Sequence, residues 1–336
     1  FNVGGPQDVY DWKDKLVDLS DVPVVKEAFD GANAGVTMDG KVYGIPFTQE
    51  GYGFIYNAAI LNKAGINPDE ITSYAKLEEA VKKLDAKKAE LGLEAVFAVA
   101  GKETWVTGLH FTNAALSPEF ENVFNAFNAK KIDFKYSEGM KKLFDLQINY
   151  AKKPVNSVDY STQVEKLFSL GKVAFMQQGN WTLGAIKGID EELAANIGFL
   201  PMPIVGAKED SIPVGIPMYW TVNSTKDEKT QAAAKAFLNW MYTSEKGKDA
   251  IINKFGFIPP FKGFDSPDLQ PKDALAKDIM KYASAGKTIQ WVFMGYPSGW
   301  GMEKIGVDLQ KYVDGKLTWD QLIENGKKSW EEARKQ

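Results

Sequence analysis

The sequence predicts an α/β protein built from two domains. The chain has 336 residues, which is long for a single hydrophobic core. Helix-type periodicity over residues 74–91 leads into a continuous apolar run at 95–100, the pattern of a helix followed by a buried strand. A polar, glycine-containing segment at 48–51 joins two β-type runs at 42–47 and 52–56. We therefore expect the chain to cross between two bodies at this segment.

The composition excludes several classes of protein. The net charge is −4, from 40 basic and 44 acidic residues, so the chain lacks the basic excess typical of a nucleic-acid binder. Cysteine is absent, which excludes a disulfide scaffold and argues against a thiol enzyme. The single histidine, His110, cannot form a multi-histidine zinc site. We therefore expect no metal and no cofactor.

The sequence shows neither a membrane span nor a secretion signal. No apolar run approaches the ~20 residues that a transmembrane helix needs. No charged segment followed by an apolar one marks a signal peptide.

The first crossing carries the first two candidate ligand contacts. Asp39-Gly40 predicts a tight turn between two extended runs. Gly51 and its neighbour at 53 are expected to allow backbone rotation at the crossing. Gln49 and Glu50 would then face the space between the two bodies.

The start of the chain contributes two more candidates. Residues 1–3 have the pattern of a strand end, and ligands of open α/β sheets bind beyond such ends. Gln7 and Asp8 follow in the loop and are candidate ligand contacts. Asp8 could instead cap a helix that begins near Val9, and one carboxylate can serve both purposes.

The middle of the chain places two tryptophans after predicted strands. Trp105 follows the strand at 95–100, and either points into a cleft or packs at the start of the next helix. His110 lies in that helix and is expected to have no catalytic role. A second strand, at 173–176, runs into Gly-Asn-Trp, so that Asn180 and Trp181 lie beside the N–H groups of a helix start.

The return crossing is predicted at residues 212–217, where Gly215 suits a hinge strand. The chain then re-enters the first domain through Tyr219, a further candidate contact. A helix over residues 229–242 follows. Its apolar stripe is expected to pack in the core, and it consists of Ala233, Phe237, Trp240 and Met241.

The last part of the chain is predicted to cross back after Pro267 and to form a helix over 274–284. An aromatic, glycine-rich loop over 291–301 contains Tyr296 and Trp300, both candidate ligand contacts. Glu303 is a further candidate, or complements the dipole of the helix that follows. Two tryptophans in the closing helices are expected to be packing residues, namely Trp319 and Trp330.

Together these side chains suit a neutral sugar. The C–H face of a sugar ring stacks on indole or phenol rings, and its hydroxyls pair with amides and carboxylates. The only arginine is Arg334, near the chain end, which makes an anionic sugar or an amino acid a poorer fit. We expect a di- to tetrasaccharide.

Three separated motifs resemble the extracellular solute-binding proteins of ABC importers, in the family 1 branch that carries sugars and oligosaccharides. They are DGKVYGIPFTQEGYGFIYN with the helix ending near Ala64-Gly65-Ile66, GKVAFMQQGNW, and TSEKGKDAIINKFGFIPP. Within that branch the motifs look most like those of maltose, raffinose and multiple-sugar binders.

The resemblance implies a two-lobe periplasmic-binding-protein-like fold of type II, with mainly parallel sheets flanked by helices. One lobe would comprise residues 1–51 and 219–268, and the other 52–218 and 269–336. The resemblance also implies an opening strand–helix–strand unit ahead of residue 1. The protein would act outside the cytoplasmic membrane, in the periplasm or as a lipoprotein, as a monomer that delivers its oligosaccharide to permease subunits. In the family, the stacking aromatic falls at Trp181.

Two alternatives stay open on the sequence. A glycoside hydrolase or lectin-like protein would also line a cleft with aromatics and carboxylates. A hydrolase needs a pair of carboxylates at a defined separation, and here Glu50 is the one central acid, with Asp8 a distant partner. A solute-binding protein for a polyamine, amino acid or metal ion would need carboxylate, arginine or histidine clusters.

Overall fold

A computed structural model describes residues 3–264 and 266–335. The predicted strand end at 1–3 lies largely outside these residues. Within them, the α-helices are α1 (Pro6–Trp12), α2 (Ala58–Ala64), α3 (Tyr74–Ala86), α4 (Thr112–Phe120), α5 (Val123–Asn128), α6 (Ser137–Asn149), α7 (Leu183–Ile189), α8 (Glu191–Ala195), α9 (Glu228–Thr243), α10 (Glu245–Asp249), α11 (Ala274–Ser284), α12 (Gly306–Val313) and α13 (Trp319–Ala333). No helix of the described residues combines the length and apolarity that a membrane crossing needs.

The strands form one large sheet and two small ones. The strands are β1 (Thr37–Met38), β2 (Lys41–Val42), β3 (Ile45–Pro46), β4 (Glu50–Asn57), β5 (Phe97–Ala98), β6 (Phe175–Gly179), β7 (Ile197–Leu200), β8 (Ile212–Gly215), β9 (Tyr219–Trp220) and β10 (Thr288–Ile289). The large sheet has the order β10-β8-β4-β6-β5, with β7 also beside β4, while β1 pairs with β2 and β3 with β9.

The large sheet is mixed, which corrects the expectation of mainly parallel sheets. β4 runs antiparallel to β6, β7 and β8, whereas β5–β6 and β8–β10 are parallel pairs. The reason is that β4 begins at the first crossing, whereas β8 ends at the return crossing. β8 therefore runs toward the edge of the sheet from which β4 starts, and the two strands are antiparallel.

The buried side chains form separate clusters. We call one the first core, and it includes Leu19, Ile45, Val222, Tyr242 and Phe261. The second core packs on one face of the large sheet and includes Phe54, Phe97, Phe144, Phe175 and Trp330. A further cluster, with Ile55, Met176 and Ile279, covers the opposite face of the same sheet. The exact lobe boundaries stay a prediction.

Several local predictions are confirmed. Asp39 and Gly40 have φ of 52° and 75°, the positive values of a two-residue hairpin turn, and they join β1 to β2. Asn57 caps α2 by accepting from the Ile60 N–H. α11 spans the predicted residues 274–284. The helix predicted over 74–91 is shorter, because α3 ends at Ala86 and turns follow.

The glycines at the crossings are required by close packing, and their expected role in backbone rotation stays a prediction. None of the three at positions 51, 53 and 215 has a positive φ. A Cβ on Gly53 would lie 2.4 Å from the Leu200 carbonyl oxygen, and one on Gly215 would lie 2.6 Å from the Trp291 ring. A larger residue at either position would therefore push neighbouring strands or rings apart.

The apolar stripe of α9, which was expected to be buried in the core, is largely exposed to solvent. Met241 is buried, but Ala233 is exposed, Phe237 is 56% exposed and Trp240 is 45% exposed. The amphipathic pattern was correct, but only one side of the stripe meets the first core.

Candidate functional site

A cavity of about 410 Å³ lies where the chain crosses between the first core and the large sheet. Segments on both sides line it. Among the lining residues are Gly4, Gly5, Asp30, Gln49, Asn122, Phe124, Gly215, Tyr219, Gln290, Trp291 and Met294. The volume falls in the range of small-molecule sites, and amides, a carboxylate and aromatic rings are all present.

Five aromatic rings lie together beside this cavity, and we call them the aromatic cluster: Tyr52, Trp105, His110, Trp181 and Trp291. The ring centroids of Trp105 and Trp181 are 6.3 Å apart, and those of Trp181 and Trp291 are 6.5 Å apart. Trp291 belongs to both the cluster and the cavity wall. The cluster therefore meets the cavity at Trp291, and its other four rings are not among the residues that line this cavity.

His110 is an uncharged member of the aromatic cluster. Its ring stacks on Tyr52 with centroids 4.3 Å apart and planes 14° apart. Burial lowers the pKa of His110 to about 3, so the imidazole is neutral near pH 7. Its setting is that of a packing residue.

The end of β6 positions Trp181 and Asn180. The Trp181 ring packs on Gly179, where an added Cβ would lie 2.1 Å from the ring, and its Nε1–H donates to Gln178 Oε1 at 3.0 Å. Asn180 Oδ1 accepts from the Gly51 N–H at 3.1 Å. Both side chains are thus fixed by β4 and β6, and both are partly exposed.

Glu50 lies at the edge of the aromatic cluster. Alternate residues of a strand share a face, so Glu50 faces the same side as Tyr52. It pairs directly with Gly215, over which the Trp291 ring lies. The carboxylate is partly buried. Desolvation raises its pKa from the ordinary value of 4.5 to about 7.

This pKa shift gives a pH-dependent stability. The folded protein holds the Glu50 proton more tightly than the unfolded chain does, so its contribution is full below pH 4.5 and is lost as the pH rises to about 7. We expect Glu50→Gln, which stays neutral, to gain stability over the wild type between about pH 5 and pH 8. Urea unfolding midpoints of both proteins across this range measure the difference. A difference that does not change with pH would contradict the prediction.

Gln49 and Tyr219 line the cavity. The backbone N–H of Gln49 donates to the Ile258 carbonyl at 2.7 Å, which positions this residue at the cavity wall. Tyr219 is 6% exposed, and its hydroxyl donates to the Ala32 carbonyl at 2.8 Å. Tyr219 therefore contributes mainly its ring.

Gln7 and Asp8 lie on α1, which begins at Pro6 rather than near Val9. Asp8 Oδ2 accepts from the Gly4 N–H at 2.6 Å, so the carboxylate stabilises the start of this helix. Burial raises the pKa of Asp8. Gln7 lies outside the 410 Å³ cavity and bonds to Arg334 and Asp11.

The structure places Tyr296 and Trp300 in the second core, which corrects their expected role in the cleft. Trp300 is 1% exposed, and its Nε1–H donates to the Gly326 carbonyl at 3.1 Å. Tyr296 is 3% exposed, and both rings contact Trp330 edge-on. The wide helical turn Trp300–Ile305 packs against α13 and turns the indole inward. Glu303 is exposed beside Gly299, away from the cavity.

Trp319 and Trp330 are 4% and 0% exposed, as expected of packing residues. Trp291 and Gln290 line the cavity but were not singled out in the sequence. The loop over 291–301 was recognised as aromatic, yet its pattern gave no sign of which ring faces the cleft.

Two α/β bodies joined by crossing segments, with a polar and aromatic cavity at the crossings, define a two-lobed binding protein. The profile of the bacterial extracellular solute-binding protein family matches residues 4–280. The chain belongs to this family, and the resemblance found in the sequence is confirmed.

Curated relatives cover part of the chain. The melibiose/raffinose/stachyose-binding protein MelE of Bacillus subtilis is 28% identical over 218 residues, which is 60% of this chain and 47% of MelE. An uncharacterised ABC-transporter extracellular-binding protein of Pyrococcus horikoshii is 25% identical over 212 residues, 58% of this chain and 44% of that protein. The matched region thus spans about half the length of these relatives.

Solved structures share the fold over the whole chain. A chitin oligosaccharide binding protein superposes with a TM-score of 0.82 at 21% identity, covering 100% of this chain and 83% of that one. RafE of Streptococcus pneumoniae gives 0.74 at 19% identity, covering 98% and 83%. A sugar transporter of Bacillus licheniformis in complex with stachyose gives 0.75 at 19% identity, covering 99% and 84%. The α/β two-lobe fold predicted from the sequence is confirmed.

Proposed function

We propose that this protein is the extracellular binding component of an ABC sugar importer, and that it captures a neutral oligosaccharide without transforming it. The observation that carries the proposal is the Trp291 ring, which lines the cavity and also contacts three other rings of the aromatic cluster. A sugar in the cavity would meet amides at Gln49 and Gln290 and ring surfaces at Trp291. Curated and structural relatives are named for raffinose, stachyose and chitin oligosaccharides, which supports this ligand class.

The lobes are proposed to comprise residues 1–51 with 219–268, and 52–218 with 269–336. The described members of the first core all fall in the first set. Ile258 belongs to the first set by its position in the chain, but it packs with Ile55, Met176 and Ile279 in the cluster on the opposite face of the large sheet. Its N–H donates to Thr48 Oγ1 at 3.0 Å, next to the first crossing.

The proposed cycle is closure on the sugar and delivery to permease subunits. Closing the cleft would exclude water and strengthen the hydrogen bonds to the sugar. Ligand favours closure only through its higher affinity for the closed arrangement. We propose that the protein acts outside the cytoplasmic membrane, in keeping with the family description, and that it acts as a monomer.

Isothermal titration tests the ligand class. We expect raffinose, stachyose, melibiose or a chitin oligosaccharide to bind with one site per chain and a dissociation constant in the micromolar range or tighter. Spermidine and arginine serve as non-sugar controls. An absence of heat with every saccharide, or binding of a control alone, would contradict the proposal. Chromatography of the titrated sugars tests catalysis, and a hydrolysis product would contradict the binding role.

A further inference from the structure

Arg334, the only arginine of the chain, connects the end of α13 to α1. Its Nη1 donates to Gln7 Oε1 at 2.8 Å. Its Nη2 donates to the carbonyls of Ala126 and Gly295, and the guanidinium lies 5.3 Å from the Trp330 ring centroid. The guanidinium is thus held by the second-core side. Its hydrogen bond to α1 is the one to Gln7, and it is also attracted electrostatically by Asp11 of α1.

A second hydrogen bond also joins α1 to the second-core side. Gln7 Nε2 donates to Asp11 Oδ1 at 3.0 Å, and Ser298 Oγ donates to Asp11 Oδ2 at 2.7 Å. Ser298, Asp11, Gln7 and Arg334 therefore form one continuous polar chain. It links α1 at two points to segments of the second-core side. These residues line a cavity of about 500 Å³ separate from the one at the crossings.

The same helix reaches the cavity at the crossings. Gly4 and Gly5, just before α1, line that cavity and pack against Met294, where a Cβ on Gly5 would lie 2.7 Å from Met294 Cβ. Moving α1 away to open the cavity would break both hydrogen bonds that join α1 to the second-core side. Hydrogen bonds to charged groups are stronger than neutral ones.

We propose that the Ser298–Asp11–Gln7–Arg334 chain is a latch that holds the cleft closed, and that it sets how long a bound sugar stays. Gln7 is then a positioning residue rather than a ligand contact, because both ends of its amide are already bonded within the latch. The effect of the latch on how long a sugar stays bound rests on the proposed function. Its effect on closure of the cleft can be measured without ligand.

The test variant is Gln7→Ala, which removes the hydrogen bond between α1 and Arg334 but keeps the bonds of Arg334 to Ala126 and Gly295. Ser298→Ala removes the other link. The matched control is Asn128→Ala, because Asn128 lines the same cavity and makes no side-chain hydrogen bond within residues 3–264 and 266–335. The chain has no cysteine, so spin labels at Lys26→Cys and Lys142→Cys mark one exposed site on each side.

Without ligand, we expect Gln7→Ala and Ser298→Ala to shift the distribution of distances between the labels to longer values, and the double variant to shift it further. With raffinose, stopped-flow tryptophan fluorescence should show dissociation about tenfold faster in Gln7→Ala, a change of about 1.4 kcal/mol. The control should match the wild type in both measurements.

Unchanged ligand-free distances in both variants would overturn the latch. So would a lowered unfolding midpoint in Gln7→Ala with no change in the distances, because that is the result of a purely structural role. A lack of signal with raffinose and with each of the other saccharides titrated would count against the proposed sugar ligand, and the ligand-free distances would then decide on the latch alone.

Discussion

Replacing Trp181 with alanine is expected to weaken saccharide binding by roughly 30-fold, corresponding to about 2 kcal/mol, the loss seen when a central aromatic contact is truncated. The ring is positioned in advance, because it packs on Gly179 and its Nε1–H is bonded to Gln178. A fixed ring loses little conformational freedom when a sugar stacks on it. Trp181 also lies within 6.5 Å of the Trp291 ring, which lines the cavity.

Calorimetric titration of Trp181→Ala measures this loss. Trp240→Ala is the matched control, since that indole is 45% exposed on α9 and belongs to the first-core side. Trp181→Phe should fall between the wild type and alanine, because it keeps a ring and loses the bond to Gln178. If Trp181→Ala folds and binds within about twofold of the wild type, Trp181 is not a ligand contact.

Replacing Trp300 with alanine is expected to lower the free energy of unfolding by about 3–5 kcal/mol, the usual cost of deleting a large buried aromatic. The indole is 1% exposed, and its Nε1–H donates to the carbonyl of Gly326 and to Ser329 Oγ, each at 3.1 Å. The substitution leaves a void beside Trp330 and removes one of the donors to the Gly326 carbonyl, which keeps the Ser329 hydroxyl.

Denaturant unfolding of Trp300→Ala tests this assignment, together with the sugar affinity of the folded variant, which should stay within about twofold of the wild type. Glu303→Ala is the control on the same turn, and as an exposed substitution it should change stability by less than about 0.5 kcal/mol. A large loss of affinity at unchanged stability would return Trp300 to the binding site.

Local chemistry explains the parts of the fold that the sequence predicted well. The Asp39-Gly40 turn depends on positive φ at two adjacent residues, which aspartate and glycine tolerate. The start of α2 depends on one side-chain acceptor, Asn57. Such features involve residues within a few positions of each other, so no knowledge of the remaining chain is needed.

The candidate site was predicted in part. Trp105 and Trp181 follow strands of one sheet, β5 and β6, and the structure brings their rings together. Gln49 was placed by its position at the crossing, and it lines the cavity. Trp291 and Trp300 lie in the same aromatic loop, yet one lines the cavity and the other packs in the second core.

The sequence by itself determined the α/β class, the family and the positions of most helices, because these follow from periodicity, turn residues and short motifs. Only the tertiary structure decided which apolar faces are covered, as the exposed Phe237 and Trp240 on α9 show. It also decided that Gly53 and Gly215 serve close packing, and that Gln7 meets Arg334. The physical reason is that an indole, an amide or a glycine has the same chemistry in every setting. Its role depends on the partner that lies within a few ångströms, and residues far away in the chain supply that partner.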